Sequence, residues 1–232
     1  STDTDIQGHT LNADWSINAT TTLRSITAWR ELDDRTYTDF ASGSAEGFRI
    51  DFNTQLVGAD AGDQRMELPL TRPDLNQEQF SQEFQLLGDT QTLNWVAGVF
   101  YYEDDAEEVN DGNSSGSEDI QEGLLEDFTT TENTYVAIYG QTTWNPDALS
   151  GRRHFTNAAR YSDDTREAER DNSRVSFGLG GVPTGVPPFR AKYDEDFSKF
   201  NPSFTVEYDL DEFSNVYGKV VSAYKSGGTS QR

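Results

Sequence analysis

Three consecutive stretches of sequence decide the fold: QFSQEFQLL at residues 79–87, GDTQT at residues 88–92 and LNWVAGVFYY at residues 93–102. In the first stretch Phe84 lies between Glu83 and Gln85, and such alternation with a period of two places apolar and polar side chains on opposite faces of a β-strand. The second stretch is polar and predicts a tight turn. The third is apolar on both faces, so the pattern leaves its sidedness open. Together they predict a β-hairpin with one wet face.

This unit recurs along the whole chain, because strand-like segments alternate with short and long connections. The eight candidate strands lie at about residues 8–17, 22–37, 77–87, 93–102, 129–144, 153–162, 197–208 and 214–225. The short turns lie at residues 18–21, 88–92, 145–152 and 209–212, and the long loops at about residues 38–76, 103–128 and 163–196. Short turns at one end and long loops at the other are typical of transmembrane β-barrels. We therefore expect an all-β antiparallel meander that forms a partial transmembrane β-barrel.

Side chains along the strands favour the same interpretation. Tryptophan and tyrosine collect near strand ends, where amphipathic rings suit the headgroup level of a bilayer; examples are Trp15, Trp29, Trp95, Trp144 and Tyr208. Aromatic residues are also common in the strands of an ordinary β-sandwich. A soluble, secreted β-rich binding module, such as a glycan-binding sandwich, therefore stays open as the alternative, and dependence on detergent would distinguish the two.

The alternation also predicts which side chains face lipid and which face the lumen of a barrel. The apolar set expected to face lipid is Leu11, Trp15, Phe80, Phe84, Leu86, Phe204 and Val206. The polar set expected to face the lumen is Asp14, Glu83, Gln85 and Glu207. A charge that faces lipid at the midplane of the bilayer is costly, so the two sets should tolerate substitution differently.

Composition excludes several other classes of protein. Only 34% of the 232 residues are hydrophobic and mean hydropathy is −0.76, which suits a barrel because a barrel needs apolar residues on one face only. No apolar run approaches the length of a membrane helix. The chain has no cysteine, and its net charge of −23 makes nucleic acid an unsuitable partner. Acidic loops fit solvation, or contact with anionic lipopolysaccharide through divalent cations.

Motifs for bond-making chemistry are weak. GNSSG at residues 112–116 matches the spacing of a serine nucleophile elbow, but it lies in an acidic loop with no helix after it. The two histidines, His9 and His154, are far apart in sequence, and His154 is expected at the surface or the interface. Because 41 residues are acidic, close carboxylate pairs arise by chance. We predict no catalytic residue, no metal site and no cofactor, so the protein is not expected to be an enzyme.

The long loop at residues 163–196 is the candidate for ligand binding. It is rich in arginine, which binds carboxylate or phosphate oxygens through two parallel hydrogen bonds, and it carries aromatic rings that offer flat apolar contact. The predicted ligand-binding residues are Arg160, Arg166, Arg170, Arg174, Arg190, Lys192 and Tyr193. The alternative is a solvated loop in which the arginines only offset neighbouring acids. The sequence leaves both readings open.

Several segments in order resemble the barrel of TonB-dependent outer-membrane receptors. They are LRSITAWR (23–30), QFSQEFQL (79–86), WVAGVFY (95–101), YVAIYGQ (135–141), NAARYS (157–162), VYGK (216–219) and YKSGG (224–228). The resemblance implies active import of a scarce solute, such as an iron–siderophore complex, across the bacterial outer membrane. It also implies contact with membrane lipid and lipopolysaccharide, and with the TonB complex through a plug domain.

The chain also departs from the family pattern. It shows no plug domain, no TonB box, no signal-peptide pattern at the start and no C-terminal aromatic strand. Barrels of this family have about 22 strands around a plugged lumen. We therefore expect residues 1–232 to be an internal piece of the barrel domain, about a third of the whole, which would not close by itself.

Overall fold

The computed structural model describes residues 2–36, 38–39, 70–113, 124–146, 152–172, 189–225 and 227. Nine strands cover most of them, and no helix occurs in these ranges. The strands are β1 (Thr2–Asn18), β2 (Thr21–Thr36), β3 (Thr38–Asp39), β4 (Leu70–Asp89), β5 (Leu93–Asn113), β6 (Leu124–Trp144), β7 (Arg153–Asn172), β8 (Phe189–Asp209) and β9 (Asn215–Val221). Accordingly, the described residues contain no helix of the length and apolar character that crossing a membrane requires.

The strands form one antiparallel meander. Each main strand pairs with the next along the chain, in the order β1, β2, β4, β5, β6, β7, β8, β9, and the two-residue β3 pairs with β4. Within the described residues β1 and β9 lie at opposite edges, so the sheet is not closed. The predicted all-β meander is confirmed, and so is the partial barrel. The sandwich alternative would need a second sheet, whereas all nine described strands belong to one.

Most strands are longer than the sequence pattern predicts. The ladder between β5 and β6 continues to the pair Asn113 and Leu124, well inside the range expected to be a loop. The ladder between β7 and β8 likewise continues to the pair Asn172 and Phe189. The apolar residues of β5 end near residue 102, and the sequence pattern gives no sign of a strand beyond that point. The strand continues because its backbone hydrogen bonds need only a partner strand and not apolar side chains. Only β9, which ends at Val221, is shorter than predicted.

Cross-strand register divides the side chains between two faces. Partners in a ladder share a face, and one aligned row crosses five strands through Phe84, Val99, Ile138, Tyr161 and Phe200. All five side chains are between 46% and 60% exposed. We call this face the apolar face and the opposite one the polar face. Register places all seven residues of the predicted lipid-facing set on the apolar face and all four of the lumen-facing set on the polar face, so the predicted division is confirmed.

The apolar face changes character along the strands. Six residues beyond Val99 on β5, about 20 Å at ~3.3 Å per residue, a second aligned row carries six carboxylates. This carboxylate row consists of Glu31, Glu78, Asp105, Glu132, Glu167 and Asp194. We call the part of the sheet between the short turns and the Phe84 row the turn half, and the part that holds the carboxylate row the loop half.

Two of the short turns are joined by one side chain. The ring of His154 lies 2.6 Å from the Asn145 side-chain oxygen through Nδ1 and 2.8 Å from the Asp209 carboxylate through Nε2. Asn145 follows β6, and Asp209 ends β8. The partly buried imidazole therefore links the ends of neighbouring hairpins, which is a more specific role than the surface placement expected for it.

Candidate functional site on the polar face

The polar face gathers side chains from four neighbouring strands into one network. The ladders align Gln85 of β4 with Gly98 of β5, Tyr139 of β6 and Arg160 of β7. These positions share one face because each is the direct cross-strand partner of the next. The alignment crosses the turn half of the sheet, close to the row that carries Phe84 on the other face.

Tyr139 lies across the neighbouring strand because position 98 is glycine. A Cβ atom built on Gly98 would lie 2.5 Å from Cζ of the Tyr139 ring, so any side chain at this position would displace the ring. The Tyr139 hydroxyl donates a hydrogen bond to Oε1 of Glu83 and accepts one of 3.1 Å from Nε2 of Gln85. Gly98 thus fixes the position of a tyrosine that holds two polar side chains of β4.

Arg160 lies among three aromatic rings. Its Cζ atom is 5.3 Å from the ring centroid of Tyr135, 5.6 Å from that of Tyr139 and 5.8 Å from that of Phe100. Its Nε donates a 3.0 Å hydrogen bond to the Tyr135 hydroxyl, which lies 2.7 Å from Oγ of Ser162. We call Arg160, Tyr135, Tyr139 and Phe100 the arginine–aromatic cluster. Contacts on several sides hold this guanidinium in one place.

In the loop half, the polar face carries two arginines that form ion pairs. Arg166 contacts Asp164 through Nε and Oδ1 at 2.7 Å, and Asp164 is only 2% exposed. Arg170 donates a 2.8 Å hydrogen bond from Nε to Oδ1 of Asp127. This hydrogen bond raises the pKa of the Arg170 guanidinium above its usual value. These arginines therefore lie beside acids of the same face.

The structure separates the predicted ligand-binding residues into two groups. Arg160, Arg166, Arg170 and Tyr193 share the polar face. Arg190 and Lys192 lie on the apolar face, because they occupy the other parity of β8, where they contact Glu169 and Glu167 respectively. Arg174 lies outside the described residues. A continuous loop was expected here, whereas strands run through both ends of the range, and the basic residues of this range on β7 take the parity of the polar face while Arg190 and Lys192 of β8 take that of the apolar face.

Sequence reasoning missed Tyr135, Tyr139 and Gly98 as parts of this site. The signal was present in the segment YVAIYGQ, since residues four apart in a strand share a face and Ala137 between the tyrosines leaves room for both rings. Nothing in the sequence, however, pairs Gly98 with Tyr139. That pairing depends on the register between β5 and β6, which only the structure gives.

Other features of the described residues do not coincide with this network. No group of three or more histidine, aspartate or glutamate side chains in the described ranges is arranged to hold a metal ion. An open depression of about 690 Å³ lies near the short turns, among Trp95, Gly140, Ala159 and Phe204. Of the predicted ligand-binding residues, none lines it.

Comparison with known protein families shows which family the chain matches. A family model described as "TonB dependent receptor-like, beta-barrel" matches residues 1–232, which is the whole chain. No match was found among curated proteins.

Solved structures of similar fold cover nearly the whole chain. The ferric yersiniabactin uptake receptor FyuA from Yersinia pestis is 15% identical with a TM-score of 0.66, and the match covers 94% of this chain and 28% of that protein. The ferric-catecholate import receptor Fiu from E. coli K12, in its open form, is 17% identical with a TM-score of 0.60, and the match covers 95% and 35% respectively. The chain thus spans about a third of these proteins, and at such identity the likeness shows the fold alone.

Proposed function

We infer that this protein works as a transport receptor of the bacterial outer membrane, because its chain belongs to the TonB-dependent receptor β-barrel family, whose model matches residues 1–232. That match is the observation that carries the proposal. The chain contributes barrel wall, and the import itself is a property of the whole receptor. We propose that the solute is scarce and taken up as a complex, such as a ferric siderophore; the similar structures are named as a ferric yersiniabactin uptake receptor and a ferric-catecholate import receptor.

The two faces of the sheet support a membrane location. The aligned row from Phe84 to Phe200 presents large exposed apolar side chains, which is what lipid requires of the outside of a barrel. The opposite face carries Glu83, Arg160 and Asp164, which suit a lumen that holds water or polar protein groups. In this arrangement the turn half crosses the bilayer, and the short turns lie on the periplasmic side.

The loop half then stands outside the hydrocarbon region, on the extracellular side. The carboxylate row would lie next to the anionic headgroups of lipopolysaccharide, where divalent cations could neutralise both partners. The TonB complex would act through the plug domain of the whole receptor. Membership of the family supports the TonB partner, and the proposed position of the sheet in the membrane supports the contact with lipopolysaccharide.

For the ligand, we propose contact with the basic and aromatic residues of the polar face in the loop half. Arg166, Arg170 and Tyr193 lie there, and Arg174 is retained from the sequence prediction; Arg160 lies on the same face but about 20 Å nearer the short turns, at ~3.3 Å per residue. An anionic ferric chelate would meet guanidinium groups already oriented by carboxylates. Arg190 and Lys192 are less suitable, because register turns them toward the outside of the barrel.

Uptake measurements test the transport proposal. Cells that express the intact receptor should accumulate radiolabelled iron from a panel of ferric siderophores, and cells without the receptor or without TonB should not. Accumulation that is independent of both proteins for every chelate would contradict iron uptake. A soluble receptor that needs no detergent after purification would contradict the membrane location.

Substitution of the two groups of basic residues tests the site. In the intact receptor, Arg166→Gln with Arg170→Gln should weaken binding of the imported chelate by about 10-fold or more, since hydrogen bonds to charged groups contribute ~1.5–3 kcal/mol each. The matched control, Arg190→Gln with Lys192→Gln, removes the same charge from the other face and should leave the dissociation constant unchanged. Equal effects of the two double variants would show that the ligand does not distinguish the faces.

A further inference from the structure

Arg160 differs from the other partly covered arginines of the polar face in one respect. Arg24 pairs with Asp14 at 2.7 Å, Arg166 pairs with Asp164, and Arg170 pairs with Asp127. No carboxylate in the described part of the chain forms an ion pair with Arg160. Its polar contacts there are the Tyr135 hydroxyl at 3.0 Å and Ser162 Oγ at 3.4 Å, and both are made by Nε.

Among the described residues, no carboxylate serves as a counter-charge for this guanidinium. The three rings attract it through cation–π contacts, but they also displace water from its faces. A partly desolvated cation is stabilised much more by an anion that accepts hydrogen bonds from it than by rings alone. The side chain is held at Nε, so the two Nη nitrogens remain as a donor pair of fixed position.

We propose that Arg160 is an anion-binding group on the lumen wall, and that its Nη nitrogens bind a carboxylate or similar oxyanion. The planar guanidinium matches a carboxylate through two parallel hydrogen bonds. Gly98 and Tyr139 position the group, because the ring that covers one side of the guanidinium lies over Gly98. The inference rests on the proposed function only in that the polar face must border a lumen.

The depth of Arg160 separates this group from the ligand contacts proposed above. Arg160 is aligned with Gly98, five residues from the start of β5 at Leu93, whereas Arg166 is aligned through Asn133 with Asp104, eleven residues from that start. At ~3.3 Å per residue the two levels differ by about 20 Å along the strands. The anion at Arg160 would therefore be reached from within the lumen. It is either a dissolved oxyanion or an acidic side chain from another part of the receptor.

Citrate, a tricarboxylate, is the probe for a dissolved anion. Isothermal titration of the purified intact receptor should show citrate binding that Arg160→Gln weakens by about 10- to 100-fold. Arg30→Gln is the matched control, because Arg30 is also on the polar face without a carboxylate partner in the described ranges, but is exposed and lies against no ring. It should leave citrate binding unchanged. Arg160→Lys should restore part of the affinity, since it keeps the charge but loses the planar fork.

Thermal unfolding tests whether the anion is an acidic side chain from another part of the receptor. If the anion is an acidic side chain of the receptor, citrate will not bind, and Arg160→Gln should lower the unfolding temperature by about 1–2 °C while Arg160→Lys recovers part of the loss. If Arg160→Gln and Arg160→Lys are equally destabilised and citrate does not bind, the arginine serves packing alone and the proposal is wrong. It is also wrong if Arg160→Gln behaves like Arg30→Gln in both measurements. Because neither measurement involves iron uptake, failure here leaves the transport proposal standing, and the reverse also holds.

Discussion

The turn half and the loop half of this sheet are built from the same strands but face different surroundings. On one side of the turn half, Val99 and Ile138 stand in an exposed apolar row, and six residues further along the same strands Asp105 and Glu132 stand in the carboxylate row. The backbone ladder runs through both halves without interruption. Hydrogen bonds between strands need only a partner strand. The side chains alone therefore determine whether a part of the sheet suits an apolar or an aqueous surrounding.

The polar face shows the same division in another form. In the turn half, Arg160 is held by aromatic rings and hydroxyl groups. In the loop half, Arg166 and Arg170 are held by carboxylates. Rings fix a guanidinium and leave its charge for another partner, whereas carboxylates fix it and neutralise it. The comparison indicates that Arg160 keeps its charge available for a partner, whereas Arg166 and Arg170 share theirs with carboxylates of the same face.

Charge introduced into the apolar row should give the largest effect. Phe84→Arg places a cation on the lipid side of the turn half and should cost ~2–4 kcal/mol, while Gln85→Arg places it on the polar face and should cost much less. The amount of folded receptor in isolated outer membranes measures the difference. Equal amounts for the two variants would remove the distinction between the faces.

A methyl group at position 98 should give an intermediate effect. Gly98→Ala forces its Cβ against the Tyr139 ring and should destabilise the receptor by ~1–3 kcal/mol through overpacking. Gly218→Ala is the control, because a Cβ there meets no atom within 4 Å. Thermal unfolding of the two purified variants measures the effect. If both unfold at the same temperature, the Tyr139 ring adjusts without cost and the arginine–aromatic cluster is not rigid.

Removal of a charge from the carboxylate row should give the smallest effect and the opposite sign. Glu132 lies directly between Asp105 and Glu167 in the ladders, and like charges placed opposite each other destabilise a sheet by roughly 0.2–1 kcal/mol. Glu132→Gln should therefore stabilise the receptor slightly at low ionic strength, and added salt should reduce the gain. Unfolding at two salt concentrations tests this. A loss of stability would mean that the row is neutralised by bound cations.

The sequence predicted the meander, the order of strands and the two faces, because all of these follow from alternation and turn residues. It placed Phe84 and Glu83 correctly relative to each other. It did not predict that Val99 shares a face with Phe84, since β5 is apolar on both sides and only its partners fix its orientation. The predicted strand also ended too early, at residue 102. Beyond that point both faces of β5 are mostly polar, so no alternation of apolar and polar residues marks the rest of the strand.

The sequence predicted only part of the candidate site, because the face on which a residue lies was not known. The arginines were chosen by residue type within a segment expected to be a loop. Residue type does not show on which face of a strand a side chain lies. Once β8 is a strand, Arg190 and Tyr193 must lie on opposite faces. The arginine–aromatic cluster needed the relative register of β5, β6 and β7, which depends on contacts between residues distant in sequence.

Gly88 and Gly98 restrict the register that the strands next to β5 can adopt. Trp95 lies over Gly88 on one face, and Tyr139 lies over Gly98 on the other, in two successive ladders that share β5. A slip of one residue exchanges the faces, and alternation opposes it. A slip of two residues preserves the faces, yet it would set Trp95 opposite Leu86 or Thr90, and Tyr139 opposite Val96 or Phe100, where a side chain occupies the place of the ring. The two glycines therefore oppose register shifts of two residues, which the alternation of apolar and polar residues does not oppose.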